Sequence, residues 1–489
     1  MNGIGRWLSA ASMVTLVCSC TDPLAGEIPT ADKTDKSTQI AAEVLPFNGD
    51  ILTIPLALPA EFVNEGGVIA ADVLGTSQME LLITQPNYIA VYSLTDGELW
   101  SQAVDIWLTD DTAGKGLPGP NGPGIQAGDI DQDGTTEILY VTEANQLKVL
   151  SGDSGELKYT VELPPVDSAF GHWEQVIIAN FSGGGDYDIL LQASQPTDKE
   201  DYARDNIQAA YRFKELLSSD QSAKPLWLST DFVSLSHGGA KVVDLDGDGR
   251  DEVVGATVLG SDGHIRHSID IRNTAFPHID SVAIGDIVPE NAGLEVVMPE
   301  ENGKERVFLF DAKQTIWVSP HREKSFDDDG DKVAIGNFDP ERPGLEMWFR
   351  GNDSAHFTVL DATGDVIADY EFRDRKPEVW TEKGFEMINR IRWSGDDKEY
   401  IAVKERHEPG DVGIFDAMTG QMVVHLPAQT QRLYVVDVLG DWREEIVVVE
   451  NDAINVYENT QPNPNPNRPR LWTKAEYRRQ KMTWDYYSP

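Results

Sequence analysis

The chain of 489 residues is poor in cysteine, in long apolar runs and in positive charge. Its 2 cysteines are Cys18 and Cys20, so the chain beyond residue 20 contains no disulfide and must be held by its core or by metals. Beyond residue 20 no apolar run is long enough to span a bilayer. The hydrophobic fraction of 40% is nevertheless typical of a globular chain with a large core.

Basic residues are outnumbered, with 40 Lys and Arg against 82 Asp and Glu and a net charge of −42. Such a surface repels nucleic acid, so we expect no nucleic-acid partner. An acidic polymer could bind only at a locally basic or metal-loaded site. The sequence also lacks a serine-nucleophile elbow, a phosphate loop, a dinucleotide fingerprint and a cysteine metal cluster. These absences disfavour covalent hydrolases and nucleotide enzymes.

The first 20 residues have the pattern of a targeting segment. Arg6 precedes a mostly apolar run over residues 7–17, and Val-Cys-Ser-Cys at 17–20 resembles a bacterial lipoprotein box. We therefore predict a signal peptide over 1–19, lipidation at Cys20 and a flexible tether over 20–45; an ordinary secretory signal is the alternative. Thr21, which is not acidic, favours sorting to the outer membrane, so the expected location is the bacterial outer membrane or cell surface, through a lipid anchor.

A unit of strand, acidic loop and strand recurs at spacings of about 40–60 residues. Copies begin at residues 72, 129, 180, 244, 286, 337 and 437, and a weaker eighth begins at Trp393. Most copies are followed by a second hairpin, which makes four strands per repeat. Repeated four-stranded units indicate propeller blades.

We therefore predict an all-β fold, an eight-bladed β-propeller over residues 46–460, with seven blades as the alternative. The apolar runs at 52–58 and 454–458 are the candidates for closing the ring. Residues 461–489 are expected to form a C-terminal tail packed on the propeller, along the outside of the ring, and the one good helix signal covers 201–218. The protein is expected to be a monomer.

Two of the acidic loops have the ligand pattern of a calcium site. Carboxylates stand at loop positions 1, 3, 5 and 9, with glycine at position 6, which suits a hard cation. We predict that Ca²⁺ ions bound there, and in three less complete loops, hold the blade hairpins together. The predicted ligands are Asp129, Asp131, Asp133 and Glu137; Asp244, Asp246, Asp248 and Glu252; Asp286 and Glu295; Asn337, Asp339 and Glu346; and Asp437, Asp441 and Glu445.

A second series of polar residues stands seven or eight positions before the loops. In three consecutive copies this residue is a histidine: His172, His237 and His278. Equivalent positions in adjacent blades converge on the axis, so the three histidines could meet as a general base with substrate or metal contacts. A polar, water-filled channel without chemistry is the alternative reading.

Four segments resemble the rhamnogalacturonan lyases of polysaccharide lyase family 11. They are residues 236–265, 276–301, 328–348 and 435–449, and the most specific piece is Gly-Asp-Trp-Arg-Glu-Glu at 440–445. The resemblance implies an eight-bladed propeller, several calcium ions and cleavage of an acidic, uronate-containing polysaccharide by β-elimination. In that chemistry one group neutralises the uronate carboxylate and a base removes the C5 proton.

For this chemistry we assign hypothetical roles to five residues, on the basis of the aligned strand starts. His237 or His278 would act as the base, and His172 and Asp280 would position substrate or metal. Arg272, or a calcium ion, would meet the carboxylate. Whether the protein is an enzyme stays open at this point, because the acidic repeats also resemble non-catalytic FG-GAP and VCBS-type surface propellers that bind glycans or proteins.

Overall fold

A computed structural model shows how the repeats pair. It describes residues 45–47, 49–58, 67–108, 122–195, 205–218, 222–235, 239–271, 279–300, 306–319, 330–351, 355–373, 375–377, 380, 385–405, 410–430, 432–450 and 452–484. The predicted signal peptide, Cys20 and nearly all of the tether lie outside these residues. None of the helices in the described ranges is long and apolar enough to cross a membrane.

The described residues form eight sheets, each built on four antiparallel strands, and in seven of them these four strands follow one another in sequence from the first to the last. Blades 1 to 4 consist of β3 (Gly67–Ala71), β4 (Glu80–Gln85), β5 (Tyr88–Ser93) and β6 (Gly97–Ala103); β7 (Ile125–Gly128), β8 (Glu137–Val141), β9 (Gln146–Ser151) and β10 (Leu157–Glu162); β11 (Gln175–Ala179), β12 (Asp188–Ser194), β13 (Asp205–Arg212) and β14 (Trp227–Val233); and β15 (Lys241–Val243), β16 (Glu252–Val254), β17 (Thr257–Leu259) and β18 (Ile265–Ser268).

Blades 5 to 8 follow the same plan, except that the last blade takes a strand from the beginning of the chain. They consist of β19 (Ala283–Gly285), β20 (Glu295–Pro299), β21 (Val307–Phe310) and β22 (Thr315–Val318); β23 (Gly330–Gly336), β24 (Glu346–Gly351), β25 (His356–Leu360) and β26 (Val366–Glu371); β27 (Phe385–Ile391), β28 (Tyr400–Glu405), β29 (Gly410–Asp416) and β30 (Gln421–Thr430); and β31 (Arg432–Val436), β32 (Glu445–Val449) and β33 (Ala453–Glu458) with β2 (Asp50–Pro55).

Every acidic loop connects the first strand of a blade to its second strand, including the weak copy after β27. The first strands contact one another from blade to blade and therefore line the axis. The eight-bladed fold is confirmed, and the seven-bladed alternative is wrong. We call the end of the ring that carries the acidic loops the loop face, and the end where the first strands begin the start face.

The ring is closed by the two predicted segments. β2 pairs antiparallel with β33, so that Ile54 stands opposite Ile454. A short parallel strand, β1 (Leu45–Pro46), is added to β30 of blade 7. Strands from opposite ends of the chain thus share one sheet, which protects the last edge of the ring.

The core lies between neighbouring blades. Strands buried on both faces are continuous apolar runs, such as β32 with Ile446, Val447 and Val448, which are all fully buried. One cluster joins blades 3 and 4 through Ile177 and Val242. This packing is local to adjacent repeats, as expected of a ring built from one repeated unit.

The predicted helix over 201–218 is wrong for most of its length. Residues Asp205–Arg212 form β13, and only Phe213–Ser218 form a helix, α1. β13 pairs with β12 on one side and β14 on the other, so ladder hydrogen bonds on both edges outweigh the helix propensity of this segment.

The C-terminal segment enters the axial channel and does not lie along the outside of the ring as predicted. It contains a 3₁₀ turn at Leu471–Thr473 and a helix, α2, at Ala475–Met482. Hydrogen bonds join it to first strands from three sides of the ring: Gln126 Nε2 donates to the Met482 carbonyl (3.0 Å), Tyr434 Oη to the Lys481 carbonyl (3.0 Å) and Gln480 Nε2 to the Ile284 carbonyl (3.2 Å). A single helix can contact blades 2, 5 and 8 in this way only from the centre of the ring.

Candidate functional site

The loop 244–252 brings its carboxylates together. One oxygen each of Asp244, Asp246 and Asp248 lies within 4.8 Å of the others. The backbone of the loop fixes its first carboxylate: Gly249, at φ +88°, donates its N–H to Asp244 Oδ2 at 3.0 Å. The other oxygen of Asp244 is buried and has no hydrogen-bond partner among the described residues. The donor set therefore fits a hard cation such as Ca²⁺, which would neutralise the clustered charge.

The last carboxylate of the loops has a backbone role that the sequence pattern did not reveal. In six described loops its Oε2 accepts the N–H of a residue at loop position 2 or 3, at 2.8–3.0 Å: Glu80 from Val73, Glu137 from Ile130, Glu252 from Leu245, Glu295 from Ile287, Glu346 from Asp339 and Glu445 from Val438. Burial raises the pKa of all six carboxyls, that of Glu252 to about 8. This residue anchors the loop to its own strand, whatever the loop binds.

The loop 129–137 contains a lysine ammonium among its carboxylates. Lys158 Nζ lies 2.8 Å from Asp131 Oδ2, 2.7 Å from Asp133 Oδ2 and 2.7 Å from Glu137 Oε1. Burial opposes the charge of Lys158, but these three partners outweigh it and raise its pKa above the ordinary value. The oxygens of Asp129, Asp131 and Glu137 that could hold a cation remain within 4.8 Å of one another.

Basic side chains also contact the predicted ligands of two other loops. Arg342 Nε lies 2.9 Å from Asp339 Oδ2, and Arg443 donates from Nε (2.9 Å) and from a terminal nitrogen (2.6 Å) to Asp441 Oδ2. Asp437 accepts the N–H of Leu471 at 3.2 Å, which ties the C-terminal segment to the loop face. Asp286 begins its loop directly after β19. Calcium binding in these loops stays a prediction.

On the start face, His172 lies in the connection between β10 and β11. Its Nδ1 donates to the Trp173 carbonyl at 2.8 Å. Its ring packs edge to face against Trp107, with the two ring centroids 4.6 Å apart. The side chain is 4% exposed. The structure thus shows a histidine whose ring is held in one orientation.

Asp280 is the second predicted catalytic residue that lies within the described residues. Its Oδ2 lies 3.4 Å from Lys332 Nζ, and both side chains are 6% exposed. Asp280 precedes the first strand of blade 5 and Lys332 is the third residue of the first strand of blade 6, so the pair joins two blades at the start face. The other predicted catalytic residues, His237, His278 and Arg272, lie outside the described residues, and so the convergence of the three histidines stays a prediction.

The C-terminal helix builds an ion network around Glu444 that the sequence pattern did not predict. Glu444 is 1% exposed; it accepts the Tyr477 hydroxyl at 2.9 Å and lies 3.3 Å from Lys481 Nζ and 3.6 Å from Arg392. Burial opposes ionisation, but Lys481 and Arg392 outweigh it and lower the pKa of Glu444 to about 2. The available signal was Glu444 itself, an extra carboxylate beside the last loop position in the segment 440–445.

The eight blades, with acidic loops on one face and the buried His172 and Asp280 on the other, define a repeat propeller with candidate site residues on both faces. A model of the rhamnogalacturonan lyase family 11 C-terminal domain matches residues 229–487. That match covers more than half of the chain, which therefore belongs to rhamnogalacturonan lyase family 11, as the resemblance predicted.

Two relatives come from Bacillus subtilis. The rhamnogalacturonan exolyase YesX is 22% identical over 505 residues, with 87% of this chain and 77% of that protein covered. The rhamnogalacturonan endolyase YesW is 23% identical over 453 residues, with 80% and 67% covered. Among solved structures, the V. cholerae biofilm matrix protein Bap1 matches with a TM-score of 0.51 at 12% identity, covering 90% of this chain and 94% of that one. At that identity the likeness concerns the fold alone.

Proposed function

We propose that this protein is a lyase that cleaves an acidic, rhamnogalacturonan-type polysaccharide by β-elimination. The family match and the two lyase relatives support the reaction class. The structural observation that carries the proposal is the buried Asp280–Lys332 pair at the start face, which holds a cation against Asp280, two residues along the chain from His278.

The chemistry needs two groups. A cation next to the uronate carboxylate makes the C5 proton more acidic, and a base then removes that proton. The electron pair of the C5–H bond forms the C4–C5 double bond, the C4–O bond breaks, and the leaving oxygen takes up a proton. We assign the base to His237 or His278 and the carboxylate contact to Arg272 with Lys332. His172 and Asp280 act as positioning residues.

We further propose that the protein is exported, is anchored by lipid at Cys20 at the outer membrane or cell surface, and works as a monomer. Ca²⁺ bound by Asp244, Asp246 and Asp248 is structural in this proposal. It would neutralise the carboxylates at the loop face, and the reacting groups belong to the start face.

The test measures the ultraviolet absorbance of the unsaturated uronate product with rhamnogalacturonan as substrate. His237→Ala and His278→Ala are compared with His264→Ala as a matched control. His264 lies at a turn, and its side chain is 80% exposed. Loss of at least about a hundred-fold in kcat is expected for the variant that lacks the base, with no loss for the control. Full activity in both test variants would refute the assignment of the base.

A non-catalytic glycan-binding propeller is the second candidate, favoured by the burial of His172 and its packing against Trp107. A polysaccharide that binds the wild-type protein, with no unsaturated product from any uronate polymer, would establish this candidate instead.

A further inference from the structure

A cavity lies on the loop face, between the C-terminal segment and the acidic loops of blades 1 to 3. Its volume is about 590 Å³, which is the size of a site for a small ligand. β11 runs from the start face, where His172 precedes it, to Ile178 at the wall of this cavity. The cavity is therefore separated from His172 by the length of a first strand. We call it the loop-face cavity.

The C-terminal segment gives the loop-face cavity an aromatic wall. Trp472, in the 3₁₀ turn, lines the cavity and is partly exposed. Arg478 donates to the Trp472 carbonyl at 2.8 Å, which ties the turn to α2. Ile178 and Met482 extend the apolar part of the lining. An indole face beside a cavity is a platform on which a ligand with a flat apolar surface can stack.

The two arginines that line the cavity are already paired with carboxylates. Arg478 lies 2.9 Å from Asp186 Oδ2, and Arg479 lies 2.9 Å from Asp186 Oδ1 and 2.6 Å from Asp251. The lining also includes the carboxylate of Asp72. An acidic ligand would meet carboxylates beside guanidinium groups that are already neutralised, so the charges favour a neutral ligand.

The carboxylates of the lining can accept further hydrogen bonds. Asp72 Oδ1 accepts the N–H of Thr76 at 3.0 Å, Oδ2 lies 3.4 Å from Arg470, and the side chain is 17% exposed. Each carboxylate oxygen has two acceptor sites, so Asp72 and Asp186 can each accept a hydroxyl group in addition to their present partners. Asp129 also lines the cavity, but it is a predicted calcium ligand and we assign no sugar contact to it.

A pyranose sugar ring combines the two surfaces that this lining fits, because it has an apolar C–H face and a rim of hydroxyl donors. We propose that the loop-face cavity binds a neutral pyranose ring, stacked on Trp472, with hydroxyl groups donating to Asp72 and Asp186. The site takes no part in the proposed elimination reaction. It would give the protein a non-catalytic glycan contact on the loop face, completed by the C-terminal segment.

The test is calorimetric titration of the full chain with galactose, rhamnose and galacturonate. Galactose and galacturonate differ only at C6, where galacturonate carries a carboxylate. The binding that Trp472→Ala removes reports the loop-face cavity. We expect this component to be at least about ten-fold stronger for galactose or rhamnose than for galacturonate.

Trp472→Ala should weaken the binding of the neutral sugar at least about ten-fold, because it removes the stacking surface. Trp472→Phe should keep most of the affinity, since a phenyl ring still offers a face. Lys474→Ala is the control within the same segment: its side chain is 52% exposed, and binding should be unchanged. Melting curves of the variants verify folding.

Asp72→Asn tests the argument from charge. The neutral sugar should bind a few-fold more weakly, because an amide oxygen is a poorer acceptor than a carboxylate. Galacturonate should bind more tightly to this variant than to the wild type, because one repelling charge is gone. A common structural defect would weaken the binding of both sugars.

Undiminished binding of the neutral sugars in a folded Trp472→Ala variant, or no binding of either to the wild type, would overturn the proposal. A protein that binds galactose at this site and forms no unsaturated product from any uronate polymer would refute the proposed function and leave the site intact. An active lyase that binds neither neutral sugar would refute the site alone.

Discussion

The loops 129–137 and 244–252 have the same spacing of carboxylates and the same loop position in their blades, yet their surroundings differ. In blade 2, the ammonium of Lys158 lies within 2.8 Å of three carboxylates of the loop. In blade 4, the nearest comparable contact among the described residues is between Lys313 Nζ and Asp246 Oδ2, at 4.0 Å, from a lysine side chain that is 75% exposed. The carboxylates of a loop therefore define which cation it can bind. A side chain from the neighbouring strand decides whether those carboxylates are already neutralised.

Both blades have a β-bulge between their third and fourth strands, and the difference lies in the partner that each bulged side chain contacts. Lys158 is the bulged residue of blade 2, and Arg266 is the bulged residue of blade 4. A bulge redirects a side chain. Lys158 is directed into its own acidic loop, whereas Arg266 pairs with Asp262 of the adjacent turn at 2.9 Å.

Lys158→Met should cause the largest loss of stability in this comparison. Without the ammonium, the carboxylates of loop 129–137 repel one another, and in the presence of a chelator we expect a loss of about 3 kcal/mol in the free energy of unfolding. Calcium should restore much of it, because the emptied loop has the ligands for the ion. Denaturant unfolding with and without calcium measures both effects, with Lys148→Met, whose ammonium contacts Thr160 Oγ1 at 3.2 Å, as the control. Unchanged stability in chelator would show that Lys158 does not neutralise the loop.

Chelation of calcium should have the next largest effect on the wild-type protein, through loop 244–252. At a free calcium concentration 100 times the Kd, the ion would stabilise the fold by about 2.7 kcal/mol, and EDTA would remove this. The drop in melting temperature on chelation should be smaller in Asp246→Asn than in the wild type. Equal drops in the two proteins would mean that loop 244–252 holds no calcium.

The stability of the calcium-free protein should depend on pH through the ionisation of Glu252. Burial, with the charges of Asp246 and Asp248, raises the pKa of this carboxyl from 4.5 to about 8. The folded state then binds more protons than the unfolded state between those values, so this contribution to stability is complete below pH 4.5 and is lost as the pH rises through about 8. The slope should be at most about 1.4 kcal/mol per pH unit.

Melting curves against pH in EDTA, for the wild type and Glu252→Gln, isolate this contribution from the other carboxyls. The variant should have the flatter profile between pH 5 and 8, values set by the pKa range of about 4.5 to 8. The same substitution at Glu137 should flatten the profile less, because the contact with Lys158 opposes the effect of burial there. Parallel profiles for the wild type and Glu252→Gln would contradict the raised pKa.

Arg266→Met should have the smallest effect, less than about 0.5 kcal/mol with or without calcium, because an exposed ion pair contributes little. It occupies the same bulge position as Lys158, so the two variants form a matched pair in unfolding experiments. A loss at Arg266 as large as that at Lys158 would mean that the bulge position, and not the contact with the loop, determines the stability.

Most of the fold, but only part of the candidate site, could be predicted from the sequence. Each acidic loop and its two flanking strands are close in the chain, so the pattern predicted the loops without any knowledge of tertiary contacts. The segment 201–218 was misjudged because β13 depends on partners on both sides. The role of Glu444 could not be predicted either, since its partners Tyr477 and Lys481 are more than thirty residues away.

The sequence by itself determined the repeated four-stranded blades, the two candidate segments for closing the ring and the position of the acidic loops. The blades and loops rest on local hydrogen-bonded hairpins, whereas the strand pairing decided between eight blades and seven. Only the tertiary structure decided that Lys158 lies within one loop while Arg266 lies outside the other, and that α2 occupies the axis. Those outcomes depend on side chains brought together from distant parts of the chain, where burial converts a charge into a strong preference for a particular partner.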